Sequence, residues 1–293
     1  MLRLDHVSKT YRVGSFGRSR LAAVRGVSFE LQPGEVLSVI GESGSGKSTI
    51  GRMVLRLLRP TEGSITHDEV DIAQLHGHAL KEYYRRVQGV FQDPFSSYNP
   101  IFKADRIFGM VHTEFFPRVS DDEWRERLDD ALESVSLNRN DVLHKYPHQL
   151  SGGQLQRLLV ARALLLEIRY LVADEIISML DASTRIDVLN LLADLKERGL
   201  GILFITHDLS LGNYISDSTI ILRHGCIVEM GATEKVFGDP RHPYTRDLLA
   251  SVPLLHEKWS REDGAAANGG RPPEHAEVPK LVSVEDDHLV AAG

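Results

Sequence analysis

The segment Gly41-Glu-Ser-Gly-Ser-Gly46-Lys47-Ser48 constrains this chain more than any other stretch. It fits the pattern G-x-x-x-x-G-K-[ST] and is flanked as that pattern requires. Upstream, Pro33-Gly34 marks a turn, and residues 35–40 (EVLSVI) read as a short buried strand. Downstream, residues 48–58 read as a helix that Pro60 stops. Glycines admit positive φ, so successive N–H groups can turn inward around phosphate oxygens. The helix N-terminus adds its partial positive charge at the same point. Lys47 is then placed to reach the β- and γ-phosphates of a nucleoside triphosphate, and the Ser48 hydroxyl to bind Mg²⁺. Gly41, Ser43, Gly44, Gly46, Lys47, Ser48 and Thr49 form the candidate cradle. Kinases, GTPases, helicases and transport ATPases all remain open at this point.

The rest of the chain alternates strand and helix. Leu2 and Leu4, then Val24, Val27, Phe29 and Leu31, alternate as in short antiparallel strands, with the polar stretch VGSFGRSR between them as a loop. Residues 121–135 read as an amphipathic helix with acidic residues in its first turn, and a second helix opens at Ser151 and runs to about residue 166. Residues 170–173 and 202–206 are short apolar strands separated by a helix over 183–198. This alternation implies parallel strands joined by crossover helices. After Pro253 the sequence turns polar and rich in glycine and proline, the composition of a flexible linker.

Composition narrows the class by exclusion. Lysine and arginine number 34 against 41 aspartates and glutamates, a net charge of −7, which argues against nucleic acid as the main partner. The single cysteine, Cys226, rules out an internal disulfide framework and any all-cysteine metal site. The first residues hold no apolar core of signal-peptide length, and no stretch reaches the roughly 18 uninterrupted apolar residues of a membrane span. The most apolar region, residues 158–173, is broken by Arg162, Glu167 and Arg169. A soluble cytoplasmic protein is expected.

The segment Tyr170-Leu-Val-Ala-Asp174-Glu175 is an apolar strand ending in two carboxylates. An acid at the carboxyl end of a parallel strand beside a phosphate loop can hold Mg²⁺ through its water shell. The following Glu175 is placed to orient and polarise an attacking water.

Leu150-Ser151-Gly-Gly-Gln154 decides between the open classes. Ser151 reads as an N-cap, and the two glycines leave backbone N–H groups bare at a helix start, a second anion site far from the first in sequence. With the phosphate loop before it and Asp174 after it, the chain resembles the ATP-binding-cassette (ABC) ATPases, whose signature is LSGGQ. The resemblance implies a P-loop α/β core with a parallel sheet, an antiparallel β subdomain and an inserted helical subdomain. It implies ATP and Mg²⁺ as ligands. By the same resemblance Ser151, Gly153 and Gln154 meet the ATP held by a partner subunit, and Gln92 in VFQDP is an Mg²⁺ ligand and γ-phosphate sensor. Asp174 completes the Mg²⁺ environment, Asp181 in SMLD crosses the dimer interface, His207 in FITHD contacts the γ-phosphate, and Tyr11 stacks on adenine. The chain departs from the family where Pro-Thr or a similar pair usually follows the two acids: here Ile176-Ile177 stands instead. Losing proline frees φ and restores an N–H, so a less rigid turn is expected.

Three segments resemble the oligopeptide/dipeptide importer branch: VFQDPFSSYNP (90–100), LDASTRIDVLNLLADL (180–195) and GDPRHPYTRDLLASVP (238–253). Phe95, Tyr98 and Phe102 would suit a groove for membrane-subunit helices, or equally the packing of the helical subdomain. The branch often carries a cysteine cluster in its C-terminal extension; the final residues resemble the last strand of that extension without its cysteines, so no iron–sulfur cluster is expected. His76-Gly-His78 reads as a solvated loop rather than a metal pair, because no acid or thiol completes a ligand set.

The resemblance implies a peripheral ATPase on the cytoplasmic face of the cell membrane. Its implied partners are transmembrane permease subunits, a second ATPase subunit of different sequence and, indirectly, an extracytoplasmic solute-binding protein, with no nucleic acid. Expected regions are an ATP-binding core in two parts, residues 1–92 and 159–237, a helical part over 93–158, and a C-terminal extension over 238–293. A DNA-repair member would need a long coiled coil between Gly46 and Ser151, where no heptads occur. Translation-type members carry two cassettes, and here there is one. A weakly hydrolysing regulatory subunit is the remaining alternative, suggested by Ile176-Ile177.

Overall fold

The structure, a computed structural model, describes residues 1–13, 19–251 and 278–292. Most of the expected loop after Val13 and of the expected linker after Pro253 lies outside the described residues. The chain opens with β1 (Leu2–Val13), β2 (Ser19–Leu31), β3 (Val36–Ile40), α1 (Lys47–Val54), β4 (Glu62–His67) and β5 (Val70–Asp71). It continues through α2 (Gly77–Arg86), β6 (Val87–Phe91), α3 (Arg106–Phe115), α4 (Asp121–Ser134), α5 (Arg139–Val142) and α6 (Gly152–Leu164). Then come β7 (Tyr170–Asp174), α7 (Ala182–Glu197), β8 (Gly201–Thr206), α8 (Leu209–Ile215), β9 (Ser218–Arg223) and β10 (Cys226–Ala232). The last elements are α9 (Thr233–Gly238), α10 (Pro243–Ala250), β11 (Leu281–Glu285) and β12 (His288–Ala291).

Two sheets result. A small antiparallel sheet has the order β2-β1-β4-β5, and a large sheet the order β11-β12-β10-β9-β3-β8-β7-β6. Within the large sheet β9, β3, β8, β7 and β6 run parallel, while β10, β12 and β11 add an antiparallel edge. Every residue of β3, β7 and β8 is buried, as expected for parallel strands covered on both faces, and this explains why they are apolar apart from Ser38, Asp174 and Thr206. One core joins the small sheet, α1 and one face of the large sheet through residues such as Leu4, Val27, Ile50, Met53 and Val172. A second joins α3, α4, α6 and α7 to the strands. A third, smaller core packs Ile40, Leu209, Ile221, Val236 and Tyr244, fastening α9 and α10 to the strands that flank the phosphate loop.

Some elements differ from the sequence reading. α1 stops at Val54 instead of residue 58, because Arg56 takes a left-handed conformation (φ 55°) and the chain closes in turns before Pro60 is reached. Exposed His76 and His78 lie at the start of α2, not in a loop; Tyr83 is the one fully buried side chain of that helix. The C-terminal segment forms a β11–β12 hairpin where one strand was expected. Cys226 begins β10 and is buried.

Candidate active site

Strand register assembles the site. Ile40 of β3 pairs with Thr206 of β8, Ile205 of β8 with Asp174 of β7, and Asp174 with Phe91 of β6. The residues that follow, Gly41, His207, Glu175 and Gln92, therefore emerge side by side along one carboxyl edge, although the sequence scatters them over more than half its length. A crevice at the carboxyl ends of parallel strands is where open α/β sheets bind ligands.

The phosphate loop sits at the head of this edge and leads directly into α1. Gly46 caps the helix at φ 113°, and a Cβ there would stand 2.3 Å from the Ala23 carbonyl oxygen. Only glycine satisfies both constraints. The Gly225 N–H donates to the Ser45 carbonyl at 2.8 Å, and the Arg25 N–H to the Gly225 carbonyl at 2.8 Å, so the turn between β9 and β10 braces the loop from behind. Lys47 is buried at 4% exposure and its ammonium bridges the carbonyls of Gly41 (2.7 Å) and Glu42 (2.9 Å). Burial lowers its pKa, with Glu175, Asp174 and Glu42 opposing that shift. The Ser45 hydroxyl is buried without a hydrogen-bond partner among the described residues.

Ser48 Oγ donates to Asp174 Oδ1 at 3.0 Å. Asp174 is buried; desolvation raises its pKa, while the Ser48 hydrogen bond lowers it. A carboxylate short of partners beside a hydroxyl oxygen is a hard-oxygen donor pair that suits Mg²⁺, an ion that keeps waters and takes phosphate oxygens for its remaining positions. Among the described residues no group of three or more His, Cys, Asp or Glu could hold a metal alone, so the pair fits an ion delivered with its nucleotide. Gln92 lies exposed immediately after β6, next to the strand that ends in Asp174.

Glu175 takes a left-handed backbone conformation (φ 52°), and its N–H donates to the Ile205 carbonyl at 2.9 Å. Its carboxylate meets His207 Nδ1 at 3.2 Å. The turn beyond it is held by packing in place of proline. Ile176 and Ile177 are each 1% exposed in the core, and the Arg185 guanidinium of α7 donates to the carbonyls of Leu180 (2.8 Å) and Ser178 (3.2 Å). Asp181 caps α7 by accepting from Ser183 Oγ, Thr184 N and Thr184 Oγ1, which hold its carboxyl far below the usual range.

The signature segment stands apart. Ser151 caps α6, its hydroxyl accepting from Gln154 N–H while Gln154 Oε1 accepts from Ser151 N–H, a reciprocal capping box. The Gln154 amide is thus already satisfied and not bare. Gly153 is buried against α7: a Cβ there would stand 2.5 Å from Thr184 Cγ2. Among the described residues no hydrogen bond or ion pair joins Ser151, Gly153 or Gln154 to the phosphate loop of the same chain. Tyr11 lies on β1 opposite Leu21 of β2, with the Lys9 ammonium 5.6 Å from its ring centre.

Residues 24–178 match the ABC transporter family, and residues 228–280 match the oligopeptide/dipeptide transporter C-terminal region. The chain belongs to the ABC transporter family. It is an ABC-type ATPase with a P-loop α/β fold. Over 254 residues it is 43% identical to a Brucella ovis protein named for peptide import and ATP binding, covering 86% of this chain and 78% of that one. Over 257 residues it is 40% identical to the oligopeptide transport ATP-binding protein OppF of Streptococcus mutans, covering 86% and 82%. Among solved structures, an ATP-binding cassette captured as a dimer in a post-hydrolysis state with ADP and Pi superposes with a TM-score of 0.71 at 29% identity, covering 80% of this chain and 99% of that one.

Sequence reasoning passed over several residues of this ATPase site. Ser45 lies inside the loop pattern as an unspecified position, and its buried, unpartnered hydroxyl sets it apart. Gly225 and Arg185 act through contacts no local pattern encodes. Tyr98, a candidate for a docking groove, is buried, with its hydroxyl donating to the Leu155 carbonyl at 3.2 Å; it belongs to packing. Phe95 and Phe102 stay exposed.

Proposed function

We propose that this ATPase powers an ABC importer for oligopeptides, dipeptides or related small solutes. The carrying observation is the joining, in one chain, of an ABC ATPase region, with Glu175 and His207 in contact at its strand edge, to a region matching the oligopeptide/dipeptide transporter C-terminus. The names of its relatives, peptide import and oligopeptide transport, agree with this reading. Residues 1–92 and 159–237 supply the core, 93–158 the helical part and 238–293 the extension.

In the proposed cycle the loop amides and Lys47 take the phosphates, releasing the lysine from the carbonyls of Gly41 and Glu42. Ser48, Asp174 and Gln92 would hold Mg²⁺, which supplies charge neutralisation at the phosphates. Glu175 accepts a hydrogen bond from the attacking water and orients it, while His207, steadied by Glu175, donates to the transferred phosphoryl oxygens. Tyr11 supplies an aromatic face for adenine. Ser151, Gly153 and Gln154 have no part in their own chain's loop and complete the site of a partner ATPase, across an interface that Asp181 also reaches. Binding energy available only in the closed pair drives the conformational switch. The segment FQDPFSSYNP favours a partner ATPase of different sequence.

In the chain after Gln92, Phe95, Ile101, Phe102 and Met110 are exposed apolar side chains, which would suit contact with permease subunits. Among the described residues no helix is long and apolar enough to cross a membrane, so attachment to the cytoplasmic face would come through those subunits. The substrate would be delivered by an extracytoplasmic binding protein. The test is affinity purification from the native host, followed by reconstitution in lipid vesicles. Copurified permease subunits, and ATP-dependent peptide uptake that Lys47→Ala abolishes, are expected. An ATPase that copurifies without permease subunits would overturn the reading.

A further inference from the structure

The C-terminal region reaches the phosphate loop. Tyr244, in the first turn of α10, is 3% exposed, and the N–H of Glu42 donates to its hydroxyl at 3.4 Å. The Arg223 guanidinium at the end of β9 lies 4.7 Å from the Tyr244 ring centre, so the ring is stacked under a cation while its hydroxyl faces the loop. The other end of the same residue is the Glu42 carbonyl, which Lys47 Nζ contacts at 2.9 Å. Glu42 is therefore held at its N–H by α10 and at its carbonyl by the phosphate-binding lysine. When Lys47 moves to a phosphate it gives up the carbonyl, and the tyrosine remains as the hold on this residue.

The start of α10 is itself anchored. Glu229 of β10, with no exposed surface, accepts from the N–H groups of Arg241 (2.8 Å) and His242 (3.0 Å), and pairs with His288 Nε2 of β12 at 2.8 Å. His242 Nδ1 accepts from the Tyr244 N–H at 3.1 Å, capping the helix. One buried carboxylate thus ties the C-terminal hairpin to the turn that aims Tyr244 at the loop. A buried network satisfied in this way fixes its members more firmly than surface contacts can.

We propose that Tyr244 is a positioning residue for the phosphate loop, through which the C-terminal extension sets the affinity of the site for nucleotide. The inference rests on the loop being the nucleotide site. Tyr244 touches no reacting atom, so its influence falls on binding and leaves the chemical step unchanged.

The experiment uses the full-length chain, with MgADP titrated by calorimetry and steady-state ATP hydrolysis measured alongside. Tyr244→Phe keeps the ring under Arg223 and removes only the hydroxyl. It is expected to raise the MgADP Kd and the KM for ATP about threefold to tenfold, the range of one hydrogen bond, with kcat within about twofold and the melting midpoint unchanged. Glu229→Ala is expected to raise Kd in the same direction, and the double variant to equal the stronger single one, since both act through one contact. A Tyr244→Phe Kd equal to wild type, or effects that add in the double variant, would overturn the proposal. Wild-type chain that fails to bind MgADP, or a Lys47→Ala variant that still binds it, would instead remove the assignment of the loop.

Discussion

His207 Nδ1 stands 3.2 Å from Glu175 Oε1, so the first side chains beyond two neighbouring parallel strands meet across the strand ends. The histidine half of this pair is open to solvent, and the glutamate is mostly covered. Replacing Glu175 by Gln keeps the size and the approach of His207 but removes the carboxylate proposed to accept from the attacking water. Hydrolysis should fall about 10²–10⁴-fold while ATP binding is kept, as read by phosphate release and nucleotide titration. Near-normal turnover by that variant would sink the assigned role. His207→Ala should cost about 10²–10³-fold in turnover.

Gly153 owes its identity to the proximity of α7. Gly153→Ala should clash with Thr184 Cγ2 and cost about 1–3 kcal/mol of stability, together with most of the ATPase activity. Thr184→Ser removes the offending methyl and keeps a hydroxyl for Asp181. The double variant should regain stability, and a melting curve no better than that of Gly153→Ala would refute the steric explanation.

The sequence revealed the parts of this site whose spacing is itself the chemistry. Eight consecutive residues make the phosphate loop, Asp174 and Glu175 are adjacent, and Ser151 was legible as the N-cap of α6, though the return bond from Gln154 was not. Apolar runs in β3, β7 and β8 were equally plain, because strands covered on both faces leave few polar positions: Ser38, Asp174 and Thr206 are the exceptions. Helix α2 was passed over although Leu80, Tyr83 and Tyr84 recur at helical spacing, and the end of α1 depended on a left-handed Arg56. The contacts of Tyr244 with Glu42 and of Gly225 with Ser45 join positions about two hundred residues apart. No periodicity announces such contacts; they exist only once the sheet is assembled.

Asp174 makes the stability of the fold depend on pH. Burial holds its folded pKa above the ordinary value, so the folded chain binds this proton more tightly than the unfolded one. Its ionised form therefore weighs against stability at neutral pH, and that penalty fades as pH falls through the raised pKa. Asp174→Asn should melt at a higher temperature than wild type at pH 7 without nucleotide, with the difference shrinking in acid. Mg²⁺-dependent hydrolysis should be lost at every pH.

Arg185 of α7 braces the turn in which Ile176-Ile177 replaces the family's usual proline. Arg185→Ala would leave the Ser178 and Leu180 carbonyls without their donors, at a cost of about 1.5–3 kcal/mol, and should lower ATPase activity by loosening the turn that follows Glu175. Arg185→Lys should recover only part, since an ammonium cannot reproduce the guanidinium fork that spans both carbonyls. Full activity in the alanine variant would show that Ile176 and Ile177 hold the turn unaided.

The in-register parallel strands give the site an alignment tolerance of zero residues. Adding or deleting one position within β7 would carry Asp174 off the edge and turn alternate side chains to the opposite face. The exposed surfaces of α3 and of the segment after Gln92 carry no such frame. Substitutions on those exposed surfaces can therefore change what the chain touches without moving the site, whereas the five-residue length of β7 cannot change without moving it.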